Sequence, residues 1–227
     1  MLIDYIIPAG GIGKRLGSTI PKQFIKLGKE PIIIRTIKAL QSHPSTRNIV
    51  VSVHKDWIEH LELLVEKYEL SNVLICQGSK TRSQSVINGL NLLGNCKYVG
   101  IHDAVRPFVT EDLITKLVKS LETNSAVIPI LPIKSTLKHL SDPMEQSGFI
   151  SKTQDREMFG LAQTPQLFDC SLYKKFISDI DTETMTDDAS LFEAANEKVS
   201  YILGEETNIK ITTPFDMDLA ELIISKE

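Results

Sequence analysis

The chain has 227 residues, 42% of them hydrophobic, and its 25 Lys and Arg against 29 Asp and Glu give a formal net charge of −4. This length suits one large α/β domain, and the mildly acidic balance argues against a nucleic-acid partner bound through general positive charge. No apolar run reaches about 18 residues and no signal-peptide pattern is present, so we expect a cytoplasmic protein without a membrane partner.

Short apolar runs rich in β-forming residues recur along the chain and alternate with amphipathic helical stretches. In chain order the runs are "LIDYII", "NIVVSV", "NVLIC", "KYVGIH", "SAVIPILP" and "KVSYILG". This alternation is typical of an α/β protein with a doubly wound, mostly parallel sheet. Because no segment reads as a linker, we expect a single domain over residues 1–227.

Several helical stretches carry boundary signals. "PIIIRTIKALQSH" places Pro31 at a first helical position, and "DWIEHLELLVEKY" has apolar residues at helical spacing. Near the C-terminus, Thr213 predicts an N-cap, with Pro214 in the first turn and Asp216 able to complete a capping box. We expect all three stretches to be packing helices.

Residues from about 133 to 154 break this alternation. The segment "IKSTLKHLSDPMEQSGFISKTQ" alternates apolar and polar residues around the turn-forming "SDPMEQSG". It predicts a β-hairpin that projects from the domain. Since an isolated hairpin rarely buries both its faces, the arm also indicates dimerisation.

The cysteines form no recognisable site. Cys76, Cys96 and Cys170 stand singly, without a CxxC pair or a His spacing that would build a zinc site. We expect three inert thiols in a reducing compartment.

A glycine-rich loop follows the first predicted strand in "IIPAGGIGKRLGSTIPKQF". The spacing of Gly11, Gly13 and Gly17 is one residue too long for the dinucleotide fingerprint, and Arg15 stands where a P-loop needs Ser or Thr. The glycines could therefore simply form a turn. Alternatively they bind a phosphate, because ligands of open α/β sheets lie at the C-terminal ends of strands.

The rest of that stretch favours the phosphate interpretation. Gly10, Gly11 and Gly13 let the backbone approach a triphosphate, and Arg15 can donate two hydrogen bonds to its oxygens. Lys22, held by Pro21, can place a point charge near the reacting phosphorus.

Three further segments place polar residues at strand ends or in a strand. In "YVGIHDAVRPFV", Asp103 can hold a phosphate-bound Mg²⁺, or it can be an N-cap or the ion-pair partner of Arg106. In "GSKTRSQSVINGL", Ser83 or Ser85 can cap a helix, or Ser85 and Arg82 can line a nucleotide pocket. Lys210 in "NIKITTP" is expected in the middle of a strand, where it lies either on a solvent-exposed edge or directed at a ligand.

The acidic "TDDASLFEAAN" is typical of a helix start. Thr186 predicts the cap, and Asp187 and Asp188 are favoured there by the helix dipole. We interpret this segment as structural.

Together these segments resemble one family from residue 3 to about residue 224. The motifs "PAGGIGKRLG...PKQF", "TRSQSVINGL", "HDAVRPFV", "STLK", "TQDR", "QTPQLF", "TDDAS" and "NIKITTP" occur in the order found in the 2-C-methyl-D-erythritol 4-phosphate cytidylyltransferases of the non-mevalonate isoprenoid pathway. Ribitol-5-phosphate cytidylyltransferases are close relatives of that family.

The resemblance implies a Rossmann-like nucleotidyltransferase that joins CTP to a sugar-alcohol phosphate with Mg²⁺ and releases pyrophosphate. It also implies a homodimer that exchanges hairpin arms of about residues 133–157. The residues that it implies for the nucleotide are Ala9, Gly10, Gly11, Gly13, Gly78, Arg82 and Ser85. Arg15, Lys22 and Lys210 would surround the α-phosphate as catalytic residues, and Asp103 would bind the metal. Arg106, Thr164 and, from the partner's arm, Thr136 and Arg156 would bind the acceptor phosphate.

Two positions depart from the erythritol pattern and keep the acceptor open. Gln84 replaces the Asp of the usual R-x-D-S-V, and Ser135 replaces the Asp of the usual D-T-I-K. Methylerythritol phosphate is the favoured acceptor, with ribitol 5-phosphate as the alternative. A non-catalytic nucleotide-binding protein is a further alternative, which the cations around the α-phosphate disfavour.

Overall fold

The structure, a computed structural model, describes residues 1–11, 20–180 and 185–226. Eight strands form its central sheet, and two further pairs of strands lie outside it. Numbered in chain order, the strands are β1 Ile3–Ala9, β2 Lys26–Leu27, β3 Glu30–Pro31, β4 Thr46–Val53, β5 Val73–Gln77, β6 Tyr98–Ile101, β7 Ala126–Pro132, β8 Lys138–Leu140, β9 Ile150–Thr153, β10 Gly160–Ala162, β11 Gln166–Asp169 and β12 Ser200–Leu203.

The sheet order is β10-β7-β11-β6-β1-β4-β5, with β12 also pairing with β7. Strand β1 runs parallel to its neighbours β4 and β6, and β4 runs parallel to β5. Strand β11 is antiparallel to both β6 and β7, while β12 is parallel to β7. The predicted α/β fold with a mostly parallel sheet is confirmed, with an antiparallel insertion that the apolar runs did not reveal.

Helices cover both faces of the sheet. They are α1 Ile32–Gln41, α2 Ile58–Lys67, α3 Arg82–Leu92, α4 Glu111–Leu121, α5 Cys170–Asp179, α6 Ala189–Ala194 and α7 Pro214–Ile224. Alternation along β1 sends Tyr5 and Ile7 to the face of α1, α2 and α4, and Ile6 to the face of α3, α5 and α6. Each face thus buries one layer of the core.

The helix boundaries agree with most of the sequence signals. The capping box of α7 is present, with Thr213 accepting from the Asp216 backbone amide and Asp216 accepting from that of Thr213. Pro31 was expected inside α1, but it occupies the N-cap position, because it also ends the short strand β3. No helix among the described residues is long and apolar enough to cross a membrane.

The hairpin arm forms as predicted. Strands β8 and β9 pair antiparallel with each other in a sheet of their own, and residues 141–149 connect them. The arm leaves from the end of β7, and the chain returns to β7 through β10. Apolar side chains on it are exposed, including Phe149 at 82% and Ile150 at 60%.

The prediction of three unpaired thiols is wrong for two of them. Cys96 and Cys170 form a disulfide, while Cys76 is a free, half-buried thiol. The antiparallel pairing of β11 with β6 brings Cys170 opposite Lys97, and the Cys170 amide donates to its carbonyl. The two cysteines are 74 positions apart in the sequence, so only this strand pairing places them together.

Candidate active site

A cavity of about 250 Å³ opens where β1, β5 and β6 end. The chain leaves β1 toward β4 and β5 on one side and later returns to β6 on the other, so this edge is a topological switch point, where ligands of open α/β sheets bind. The predicted site residues that line the cavity are Ala9, Gly10, Gly11, Lys22, Arg82, Ser85, Asp103 and Lys210. Two further predicted residues, Gly13 and Arg15, lie outside the described residues.

The glycines at this edge have different surroundings. A Cβ added to Gly78 would lie 3.2 Å from the Ser52 carbonyl oxygen and 3.4 Å from the Cα of Gly10, so Gly78 permits a close approach of two loops. A Cβ added to Gly11 would meet no described atom within 4 Å. Packing therefore requires Gly78, whereas Gly11 lines the cavity and the described residues leave room for a side chain there.

Gln23 holds the glycine loop, and sequence reasoning missed it. Its buried side-chain amide donates to the carbonyls of Ala9, at 2.6 Å, and Gly11, at 3.2 Å. A buried polar side chain directly after Lys22 in "PKQF" was the available signal, since buried amides usually bind backbone groups.

Asp103 is surrounded by cations. Its Oδ2 lies 2.9 Å from the Lys210 ammonium and 3.3 Å from Nε of Arg106. Burial raises the pKa of this carboxyl group, but Lys210, Arg82 and Arg106 together outweigh burial and lower the pKa to about 2. Asp103 is consequently ionised at neutral pH, and both the metal-binding and the ion-pair interpretations are compatible with its position.

Thr164 and His102 fix the backbone of Asp103. The Asp103 amide donates to Thr164 Oγ1 at 3.1 Å, and the Thr164 hydroxyl lies 2.9 Å from His102 Nδ1. His102 Nε2 lies 3.0 Å from the Arg106 carbonyl. Since a carbonyl only accepts, Nε2 carries the proton and the Thr164 hydroxyl donates to Nδ1. The complete burial of His102 lowers its pKa to about 4, so the ring is neutral.

Arg106 is buried beside this network rather than exposed in the cavity. Its Nη1 donates to the Asn208 carbonyl at 2.7 Å, which connects the loop after β6 to the C-terminal segment that carries Lys210. The prediction that Lys210 lies in a strand is wrong, because this segment crosses the end of the sheet without pairing with a described strand. Thr164 is equally buried.

Helix α3 begins at the cavity with a cap that sequence reasoning assigned to other residues. Thr81 is the N-cap, accepting from the Gln84 amide, so neither Ser83 nor Ser85 caps the helix. Ser85 is buried and accepts from the Ser79 amide at 2.9 Å. Its hydroxyl therefore shapes the loop between β5 and α3.

Asp188 is not merely a helix-start acid. Its Oδ2 lies 2.5 Å from Nη1 of Arg82, and its Oδ1 accepts from the Tyr173 hydroxyl at 2.5 Å. Thr186 was expected to cap α6, but Asp188 occupies the N-cap position, and the neighbouring Asp187 accepts from the Ser190 amide. Burial disfavours the Arg82 charge, yet Asp188 and then Asp103 raise the pKa of Arg82 above its usual range.

Thr136 and Arg156 lie on the exposed arm, and neither lines the cavity as the structure describes it. Arg156 Nη1 donates to the Lys134 carbonyl at 2.5 Å, within the same arm. One copy of the chain thus brings most of the described residues predicted for the nucleotide to one cavity, whereas Thr136 and Arg156, predicted for the acceptor, lie apart from it.

Comparisons with known proteins identify the family. The sequence model of the 2-C-methyl-D-erythritol 4-phosphate cytidylyltransferases matches residues 3–226. The chain belongs to this family. It is therefore related to cytidylyltransferases, a class of nucleotidyltransferase enzymes, over nearly its whole length.

Individual relatives agree. The 2-C-methyl-D-erythritol 4-phosphate cytidylyltransferase of Phocaeicola vulgatus is 38% identical over 220 residues, covering 96% of this chain and 98% of its own. The crystal structure of 4-diphosphocytidyl-2C-methyl-D-erythritol synthase from Anaerococcus prevotii superposes with a TM-score of 0.86 at 31% identity, covering 99% of this chain and 98% of that one. The 2-C-methyl-D-erythritol 4-phosphate cytidylyltransferase of Thermus thermophilus superposes with a TM-score of 0.79 at 26% identity, covering 99% and 100% of the two chains.

Proposed function

We propose that this chain joins CTP to 2-C-methyl-D-erythritol 4-phosphate, giving the CDP-alcohol and pyrophosphate. The observation that carries the proposal is the cavity at the switch point, which Lys22, Arg82, Lys210 and Asp103 line together in a chain of this family. Residues 1–227 would act as one cytoplasmic nucleotidyltransferase domain with a projecting arm.

The nucleotide would lie along the loops after β1 and β5. The space that the described residues leave beside Gly11 would admit a triphosphate, whose oxygens the backbone of residues 9–13 would bind. Arg82 and Ser85, at the start of α3, line the cavity and, with Gly78 in the loop before the helix, would position the cytosine and ribose.

The transfer needs no general base. An oxygen of the acceptor phosphate, already anionic at neutral pH, attacks the α-phosphorus of CTP, and the bond from that phosphorus to the bridging oxygen of the leaving pyrophosphate breaks. Negative charge grows on the α-phosphate and on the leaving group. Lys22, Lys210 and Arg15 would stabilise that charge as catalytic residues, and fixed cations suffice for this task.

Asp103 would hold Mg²⁺. No cluster of three metal-binding side chains occurs in the described part of the chain, but Mg²⁺ is commonly held by one or two carboxylates together with substrate phosphates and water. The Lys210 and Arg106 contacts both fall on Oδ2, so Oδ1 is the oxygen we propose for the metal. When bound, Mg²⁺ would neutralise phosphate charge.

The acceptor would be bound partly by a second copy of the chain. Thr136 and Arg156 lie on an arm whose strands pair only with each other among the described residues, and the arm exposes apolar side chains that a partner could cover. In a homodimer, the partner's arm would bring both residues to the acceptor phosphate. Arg106 and Thr164, which are buried next to Asp103, would act from within by shaping the Asp103 loop and, through it, the site of the acceptor phosphate.

Pyrophosphate release tests the proposal. The purified chain is incubated with CTP, Mg²⁺ and each acceptor in turn, with reactions lacking acceptor as controls and Lys210→Met as the matched variant. We expect release with methylerythritol phosphate, dependent on CTP and strongly reduced in Lys210→Met. Release with ribitol 5-phosphate alone would identify ribitol 5-phosphate as the acceptor, the alternative that Gln84 and Ser135 left open. No release with either acceptor would exclude the enzymatic function.

A further inference from the structure

We propose that Asp188 and Tyr173 are positioning residues that hold the Arg82 guanidinium at the nucleotide. The inference rests on the proposed contact between Arg82 and CTP. It assigns a role in nucleotide binding to an acid whose sequence context indicated only a helix start.

Arg82 lies between two cavities. On one side it lines the active-site cavity, together with Lys210 and Asp103. On the other it lines a small cavity of about 20 Å³, together with Tyr173 and Asp188. Its ion pair with Asp188 therefore holds the guanidinium through a residue that lines the second cavity and not the first.

Asp188 is itself held firmly. Its carboxylate accepts from the Tyr173 hydroxyl, and its backbone amide donates to Oε1 of Gln166 at 3.1 Å. Gln166 also accepts from the Ala189 amide at 3.0 Å. Asp188, Tyr173 and Gln166 are all buried, so the carboxylate has a defined position before any nucleotide binds.

The position of the Asp188 carboxylate matters because a second acid, Asp103, also attracts the charge of Arg82. Asp103 already contacts Lys210. Without the Asp188 charge, the guanidinium would be drawn toward Asp103 and would disturb the pair that we assign to the transfer chemistry. A guanidinium has five N–H donors in a rigid plane, so one directed at Asp188 leaves others for an oxygen of the nucleotide.

The experiment measures CTP binding directly. Calorimetric titration of CTP and Mg²⁺ without acceptor gives a Kd that does not depend on turnover, and steady-state assays give KM for each substrate. We expect Asp188→Asn, which keeps the shape and loses the charge, to raise the Kd for CTP about tenfold. The KM of Asp188→Asn for the acceptor should stay within about twofold of the wild-type value. Asp179→Asn is the matched control, because Asp179 is an exposed acid at the end of α5 whose side chain contacts Ser178. The Kd of this variant for CTP should stay within about twofold of the wild-type value.

A double-mutant comparison separates positioning from general loss of structure. If Asp188 acts through Arg82, Asp188→Asn weakens CTP binding in the wild type but by less than about twofold in an Arg82→Ala background. An equal loss in both backgrounds would overturn the proposal.

Tyr173→Phe, which keeps the carboxylate and loses one hydrogen bond, should raise the Kd for CTP about threefold, and this variant decides the question if Asp188→Asn does not fold. An unchanged Kd in Tyr173→Phe would then refute the role. A wild-type protein that binds CTP but releases no pyrophosphate would contradict the proposed function and would leave the role of Asp188 in CTP binding standing.

Discussion

Gly78 and Gly11 should respond in opposite ways to one added methyl group. In Gly78→Ala the new Cβ would lie 3.2 Å and 3.3 Å from the carbonyl oxygens of Ser52 and Val53. Both are backbone atoms and cannot rotate away, so the loop must shift. Such overpacking costs about 1–3 kcal/mol, and the reduced freedom of the unfolded chain offsets up to about 1 kcal/mol of it.

The expected net loss for Gly78→Ala is about 1–2 kcal/mol, which lowers the Tm of a chain of this size by about 2–8 °C. In Gly11→Ala the methyl group meets no described atom within 4 Å and the φ angle is not left-handed, so the Tm should be unchanged or slightly higher. The same methyl group occupies space that we assign to the triphosphate. We therefore expect the Kd for CTP to rise about tenfold or more in Gly11→Ala.

Thermal unfolding and CTP calorimetry on the two variants distinguish these outcomes. A Gly11→Ala variant that binds CTP like the wild type would contradict the proposed position of the triphosphate. A Gly78→Ala variant with an unchanged Tm would contradict the tight packing around Gly78. For the Tm, Gly11→Ala is the control for Gly78→Ala, since both variants change a glycine to alanine after a strand at the same edge of the sheet.

Three further predictions concern the chemistry, the network behind Asp103 and the arm. Lys22→Ala should lower kcat on the order of a hundredfold; an unchanged kcat with a raised KM for CTP would contradict its catalytic role. The pKa of His102 is lowered from 6.5 to about 4 in the folded chain. As the pH falls from 6.5 to 4, His102 is therefore protonated in the unfolded chain before it is protonated in the folded one, and the folded chain loses stability. In urea unfolding, the free energy of unfolding of the wild type should fall by about 3 kcal/mol more than that of His102→Gln between pH 6.5 and 4. Equal losses in the two proteins would be inconsistent with a neutral, buried ring. Light scattering should find a dimer that Phe149→Asp weakens; a wild-type monomer would contradict arm exchange.

Hydrophobic periodicity predicted much of the fold, because strands and helices bury their faces locally. All six apolar runs are strands, the arm is a hairpin, and the capping box of α7 is present. Strands β10 and β11 escaped notice because each contains only two apolar residues, too few to show a pattern. The family that the ordered motifs predicted was confirmed by the match of its sequence model to residues 3–226.

The site was predictable where each residue's role depends on its own loop. Ala9 ends β1, and Gly11 and Asp103 come two residues after the ends of β1 and β6. Strand ends of a parallel sheet meet at one edge, where these residues line the cavity. The pairing of Arg82 with Asp188, 106 positions later, depends on how α5 and α6 pack against α3. No spacing in the sequence encodes such a distant contact, and the same holds for the Cys96–Cys170 disulfide.

The position of Lys210 after the last described strand of the sheet has a consequence for the order in which the site is completed. Every described strand of the sheet ends by Leu203, before Lys210 has been synthesised. Lys210 is then fixed by its neighbour Ile211, whose amide donates to the Val105 carbonyl and whose side chain packs in a cluster with residues of α1 and α7. A chain synthesised only as far as Leu203 would therefore contain the described sheet while lacking a cation that we assign to the transfer. The site that we propose would be completed only after the sheet.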